Sequence, residues 1–360
     1  MRSAVSSGAT LVSTPVLSYT RVDSHHLLAS LVSRGVVLAG ERAVGVAARM
    51  RASGPRGPLL VDPATYEKAT TSDLAQGPQQ LSLDGMPRWL AVQRSLDVDL
   101  VLHPAGLVRW PHRDQLAMAV EHGVACCDLA RPSQAAVVLA LDSRWLSKSA
   151  DEVVEIIGDL ELPVAIVLED PYDPLSESSA IRGLLHLVSE VEQLMLLRAD
   201  LHALGALAHG AAAAAIGTNP SLRHLHPPRN SGRGGARVRD TSPSVLVRSL
   251  GRYGRGSWLQ QVEDDDGLLG CDLDACCDGR PLQRFGAPDE TGILAAEAVL
   301  HNVVTVNAMA ADLFDAAPSG RRETWVEYCR SSFNANQYLL DRTGIRKLTP
   351  PRYLETWAEL

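Results

Sequence analysis

Ala136-Val137-Val138-Leu139-Ala140-Leu141-Asp142 and Pro163-Val164-Ala165-Ile166-Val167-Leu168-Glu169 are two apolar runs of one design, with a helix-spaced stretch at 149–158 between them. Each is short, built from Val, Leu, Ile and Ala, and lacks polar alternation, as a strand buried on both faces should. Each ends in a carboxylate. Working outward, comparable runs stand at 35–40, 59–61, 99–103, 194–197 and 211–217, and helical spacing recurs at 113–122, 179–191 and 201–209. Strand–helix alternation repeated this often implies parallel βαβ units. A count close to eight favours closure, so the expected fold is α/β, a TIM-type (β/α)8 barrel over residues 1–255. A Cys/His segment with a helix at 256–316 and a helical tail at 317–360 are expected to follow.

The composition agrees with that class. Of 360 residues, 46% are hydrophobic and only 4% aromatic, which suits strands covered by helices better than an aromatic-rich sandwich. No run approaches the roughly 18 to 20 consecutive apolar residues of a membrane span. Residues 1–20 lack the charged-then-apolar order of a secretory signal, so a cytoplasmic protein is expected. Six cysteines are too sparse for a disulfide framework, and four stand in adjacent pairs, Cys126–Cys127 and Cys276–Cys277. Reduced thiols or metal ligands follow. The net charge of −8 argues against a binder of nucleic acid over its whole surface. Locally, residues 223–255 carry Arg223, Arg229, Arg233, Arg237, Arg239, Arg248, Arg252 and Arg255 against Asp240 alone. That stretch is either a phosphate-binding strip or a solvated Gly-rich loop.

The strand ends supply the candidate chemistry, because the C-terminal ends of barrel strands form one catalytic face. Asp62, Asp142, Glu169 with Asp170, Asp200, and Thr218 with Asn219 occupy such positions. Asp200, directly before a helical stretch, reads as a helix cap.

Cys271-Asp-Leu-Asp-Ala-Cys276-Cys277 is followed by Leu300-His301-Asn302. Thiolates on a tight turn and an imidazole from a later helix are what a tetrahedral metal site needs. Cys271, Cys276 and His301 make three ligands. Cys277 is expected to point away if Cys276 ligates, which leaves Cys277 or a water as the fourth.

With these residues assembled, the chain resembles the tRNA-guanine transglycosylases, barrel enzymes that exchange guanine in tRNA for a 7-deazaguanine. Ser13-Thr14-Pro15-Val16-Leu17 is similar to the family's Glu-Thr-Pro-Val-Phe strand. Leu59-Leu60-Val61-Asp62 stands where the family has the strand ending in Thr-Asp-Ser-Gly-Gly, with Pro63-Ala64 in place of Ser-Gly. Leu139-Ala140-Leu141-Asp142 resembles the strand whose Asp reads the purine edge. The cysteine segment and His301-Asn302 are similar to the family's Cys-x-Cys-x-x-Cys loop and later His-Asn, with Leu273 where the middle Cys stands. The resemblance implies a structural zinc, tRNA or another nucleic acid and a 7-deazaguanine-type base as partners, and a homodimer or heterodimer. It implies Asp62 and Asp142 as catalytic residues and Asp170, Thr218 and Arg223 as substrate-binding ones. A further departure is more serious. The nucleophilic Asp falls near Ala213, inside a run of five alanines.

Two classes therefore compete. One is a divergent base-exchange enzyme, a pentosyltransferase with Asp62 and Asp142 facing each other across the mouth. The other is a non-catalytic partner or nucleic-acid-binding subunit that has lost the nucleophile. An unrelated metal hydrolase would have to draw on His103 and His202.

Overall fold

In the computed structural model, which describes residues 14–21, 34–53, 57–70, 86–130, 135–227, 240–264 and 266–360, the apolar runs form a closed parallel barrel. The strands are β1 (Val16–Thr20), β2 (Val36–Ala39), β3 (Leu59–Asp62), β4 (Leu100–Leu102), β5 (Leu107–Val108), β6 (Ala135–Asp142), β7 (Val164–Glu169), β8 (Leu194–Ala199) and β9 (Ala213–Gly217). They are ordered β4-β3-β2-β1-β9-β8-β7-β6, and β4 pairs with β6 to close the ring. β5 pairs with the same edge of β6 further along, Leu107 opposite Ala140, so β4 and β5 are two pieces of one stave and the barrel has eight. The first stave extends the similarity segment at 13–17, of which Ser13 lies outside the described residues.

Around the ring lie α1 (Ala43–Ser53), α2 (Met86–Ser95), α3 (Arg113–Ala130), α4 (Arg144–Ile157), α5 (Ser178–Glu190) and α6 (His202–Ala208). Strand residues alternate between two cores, as the pleat requires. Leu17, Leu60, Val138, Val167, Met195 and Ala213 fill the lumen, while Val16, Val137, Ile166 and Ala214 pack outward against helices.

The break in the fourth stave is bridged by a side chain. His103 Nε2 accepts Val138 N–H at 2.9 Å, and its Nδ1 lies 2.8 Å from the Pro104 carbonyl. The ring therefore stands in for the missing strand as a neutral tautomer with its proton on Nδ1, and neither nitrogen is left for a metal. His122 and Cys126 close by do not make a site for that reason. Gly123 permits the approach of α3, since a Cβ there would come within 2.7 Å of Val137 Cγ1 and 2.9 Å of His103 Nε2.

Burial, only partly opposed by the Pro104 carbonyl, pushes His103 from 6.5 down to about 4. The unfolded chain thus takes up a proton near 6.5 that the folded ring refuses until about 4. The stabilisation by the neutral ring is complete above 6.5 and is lost as pH falls through that window. Between pH 7 and pH 5 this amounts to about 2 kcal/mol. His103→Gln is expected to be less stable than wild type at pH 7 by about 1 to 3 kcal/mol, the cost of unsettling the Val138 N–H. In urea titrations the gap should shrink at pH 5; a gap that stays constant with pH contradicts the assignment.

The C-terminal third is built on the antiparallel hairpin β10 (Ser244–Val247) and β11 (Arg252–Arg255), followed by α7 (Gly256–Leu259), α8 (Asp274–Cys277), α9 (Ile293–Asp315), α10 (Arg321–Thr343) and α11 (Arg352–Ala358). The hairpin, assigned to the barrel on its sequence, serves both parts: Leu246 joins the barrel's outer core, and Val245 and Val247 join a second core with Leu259, Leu269, Leu282 and Phe285. The tail is not separate either, because Trp325, Cys329, Leu354 and Trp357 belong to the barrel's outer core. α9 is long and apolar enough to cross a membrane by composition. Here its Val306, Met309, Ala310 and Leu313 are buried against the barrel.

Candidate functional site

The cysteine segment has little regular structure of its own. α8 is a single turn that ends at Asp278 in the left-handed region, φ 51°. Cys271, Cys276, Cys277 and His301 nevertheless present their ligand atoms within 4.8 Å of one another. His301 Nδ1 is 3.4 Å from both Cys276 Sγ and Cys277 Sγ, and the two sulfurs are 3.7 Å apart. Cys277, expected to point away from Cys276, does not: at the end of a one-turn helix the two short side chains converge. The fourth donor is thus a thiol of the chain rather than a water, and the cluster can hold a metal ion.

The surroundings orient the donors. His301 Nε2 faces the Leu246 carbonyl at 2.8 Å, which puts the ring proton there and leaves the Nδ1 lone pair toward the sulfurs. Asn302, the next residue, accepts Leu246 N–H at 2.7 Å and donates to the Ser244 carbonyl at 2.8 Å, so the His-Asn pair binds α9 to β10 much as a neighbouring strand would. Arg284 Nη2 approaches Cys277 Sγ at 3.6 Å and is ion-paired with Glu297. The Cys276 thiol, then His301 and Arg284, hold Cys277 well below the ordinary thiol range, while Cys276 is pushed up by the proton it shares with Cys277 and by burial. A cation would release that proton.

At the barrel mouth the inward series along three staves ends in Asp62, Asp142 and Glu169. Asp62 is 1% exposed and fully engaged. Tyr19 and Tyr66 donate to Oδ2 at 2.7 and 2.6 Å, and Ala64 N–H donates to Oδ1 at 2.8 Å. Ala64 sits at φ 51°, a left-handed position that glycine adopts more readily than alanine. Burial raises the Asp62 carboxyl despite the two tyrosines. Beside it Arg198 leaves β8 at a bulge with φ 50°, donates to the carbonyls of His224 at 3.0 Å and Ser221 at 2.8 Å, and pairs with Glu67.

Asp142 faces a different set of groups. Arg144 grips it with Nε at 2.9 Å and Nη2 at 2.5 Å, and its own backbone N–H adds a bond at 3.0 Å. Burial opposes ionisation there, but Arg144 and Arg109 hold the carboxyl below its ordinary value. Its neighbour in register is Glu169. Arg109 donates to Glu169 Oε2 at 2.5 Å, while Oε1 is buried with no partner. Burial, then the charges of Asp142 and Asp170, push Glu169 up against the pull of Arg109. The acids brought together are therefore Asp142 and Glu169, whereas Asp62 is bound up with tyrosines and shares no partner with Asp142.

The remaining expected residues are spent differently. Asp170, one position past the inward Glu169, accepts from Ser143 Oγ at 2.6 Å and Tyr172 N–H at 2.8 Å. Thr218 donates to Thr20 at 3.2 Å across the β9–β1 seam and is 3% exposed. Asp200 is no helix cap: it accepts Leu201 N–H at 2.7 Å, and α6 starts at His202 with no capping side chain. His202 also has both ring nitrogens engaged, by Asp173 and the Trp357 indole. On β9, Ala213 and Ala215 face the lumen and Ala214 faces outward, so this stave brings no carboxylate to the mouth. Of the basic stretch, Arg223 stacks on Tyr253, Arg248 pairs with Asp272 and Asp312, Arg252 donates to the Thr349 carbonyl and Arg255 to the Ser242 carbonyl. Arg229, Arg233, Arg237 and Arg239 lie outside the described residues.

Sequence reasoning passed over Arg109, Tyr19, Tyr66 and Arg198. Only Arg198 carried a visible signal, a lone charge inside an apolar strand. Compared with known proteins, the chain matches no family model and no curated sequence.

Proposed function

We propose that the chain is a transglycosylase-like barrel that recognises a guanine- or 7-deazaguanine-type base at the Asp142–Glu169 corner of its mouth without forming a covalent bond to the sugar. The observation that carries this reading is the unpartnered, buried Glu169 Oε1 beside Asp142, in a barrel whose last stave presents only alanines inward. An ionised carboxylate only accepts hydrogen bonds, whereas a carboxyl raised toward its protonated form both donates and accepts. Together they match a base edge that offers N–H groups next to a carbonyl. The expected metal is zinc. Zn–S bonds of about 2.3 Å and a Zn–N bond of about 2.0 Å put tetrahedral vertices roughly 3.8 Å (S to S) and 3.5 Å (S to N) apart. The spacings of 3.7 and 3.4 Å fit that set. Free thiols agree with a cytoplasmic setting. Nucleic acid, where it presents the base, is taken to meet the basic stretch at 223–255 by charge.

A second reading keeps base exchange, and the opposed shifts of Asp142 and Glu169 favour it, since such pairs often divide the roles of nucleophile and acid. Asp142 would attack the anomeric carbon, the C–N glycosidic bond would break, and Glu169 would give its proton to the departing base. Incubation with labelled guanine and bulk tRNA separates the two. No incorporation is expected from the wild type. Incorporation that is abolished by Asp142→Asn would overturn the non-covalent reading in favour of an enzyme.

A further inference from the structure

Between the ends of the seventh and eighth staves and the C-terminal segment lies a cavity of about 290 Å³ that neither the metal cluster nor the Asp142–Glu169 corner uses. Arg223, Arg252, Tyr253, Asp200, Asp173 and His202 line it. Its donors are in excess. Arg223 is 6% exposed and lies flat on Tyr253, its Cζ 3.1 Å from the ring centre, while its Nε and Nη2 are buried without an acceptor. Arg252 Nε is likewise buried and unpartnered, and the Tyr253 hydroxyl, buried beside Arg223, makes no bond outside that pair. Three donor atoms in one cavity, two of them on one rigid guanidinium fork, describe a place for an oxyanion.

The acids on the opposite wall are not equivalent. Asp173 is occupied, accepting from His202 Nε2 at 3.3 Å and Leu175 N–H at 3.0 Å. The Trp357 indole lies 3.1 Å from His202 Nδ1, so both ring nitrogens are engaged and the ring is held against Asp173. Asp200 accepts Leu201 N–H through one oxygen and lines the cavity, where the Arg223 charge acts on it without a hydrogen bond between the two. Barrel folds frequently hold phosphate groups at the loops after these last two strands.

We propose that this cavity binds a small phosphate ester, its oxyanion on Arg223 and Arg252 and a ligand hydroxyl on Asp200. The site stands independently of base recognition at the mouth. The full chain is titrated calorimetrically with inorganic phosphate, ribose 5-phosphate and ribose. Ribose 5-phosphate should bind at least about ten-fold more tightly than phosphate, the difference of one charge-assisted hydrogen bond, and ribose should not bind. Arg223→Lys keeps the charge but loses the fork, and should weaken ribose 5-phosphate binding about ten-fold or more. Asp200→Asn, which leaves the cation wall untouched, should abolish the preference for the ester over inorganic phosphate. Absence of saturable phosphate binding, unchanged affinity in Arg223→Lys, or a preference that survives Asp200→Asn would each overturn the proposal, leaving the Arg223–Tyr253 stack as a structural contact only.

Discussion

Chelation is expected to unfold the cysteine-bearing segment, residues 260–292, before the barrel and the helices that share its core. A structural zinc contributes roughly 10 to 16 kcal/mol in small zinc peptides at neutral pH, as much as a whole domain's net stability. Among the described residues of 260–292, regular structure amounts to one turn of α-helix and a short 3-10 segment, so Val262, Leu269, Leu282 and Phe285, with ion pairs such as Arg248–Asp272, are what else holds them. Without a cation, three sulfurs and a buried imidazole crowd one site with their ligand atoms within 4.8 Å of one another. Freshly purified protein should contain about one zinc per chain. Removal with EDTA at pH 7 should lower the first thermal transition by more than about 10 °C, on a scale of roughly 2 to 4 °C per kcal/mol for large domains. Cys277→Ser and His301→Ala should give the same early transition and lose the metal. Unaltered melting after complete metal removal would reject the site.

The second large effect belongs to Asp62, and it separates a structural from a catalytic carboxylate. Asp62→Ala strips the acceptor from Tyr19, Tyr66 and Ala64 N–H and leaves Arg198 with less compensation in a buried site. Breaking such a charged network costs about 3 to 5 kcal/mol. Asp62→Asn keeps the shape and one acceptor and removes a charge that burial already disfavours, so it should cost under about 2 kcal/mol. Urea titration of both variants checks the pair. Should Asp62→Asn instead leave stability alone but abolish a guanine-dependent activity, the carboxylate is catalytic.

Much of this architecture was legible because it rests on local pattern. The runs that became β2, β3, β6, β7, β8 and β9 show uninterrupted apolar character, and parallel strands buried on both faces need nothing else. The short strand β5 and the His103 bridge were not legible, since a two-residue strand has no period and a histidine's hydrogen bonds depend on which strand it meets. At the metal cluster the four donors could be named from spacing, but the direction of Cys277 could not, because it depends on where a one-turn helix ends. At the mouth, the strand-end acids stood out individually. Which of them meet is set by register, and it is register that joins Asp142 to Glu169 and leaves Asp62 to Tyr19 of β1 and Tyr66 of the turn after β3.

The Asp142–Glu169 corner is proposed to bind a guanine-type base. Equilibrium dialysis with labelled guanine between pH 5 and pH 8 tests it most directly. Because Glu169 is raised, its donor-bearing form persists above the ordinary carboxyl value of 4.5 and is lost as pH rises through the folded value. Wild-type affinity should therefore weaken with rising pH, Glu169→Gln should bind without that trend, and Asp142→Asn should bind about ten-fold or more weakly. Absence of saturable binding, or guanine binding that Asp142→Asn leaves unchanged, would contradict the account.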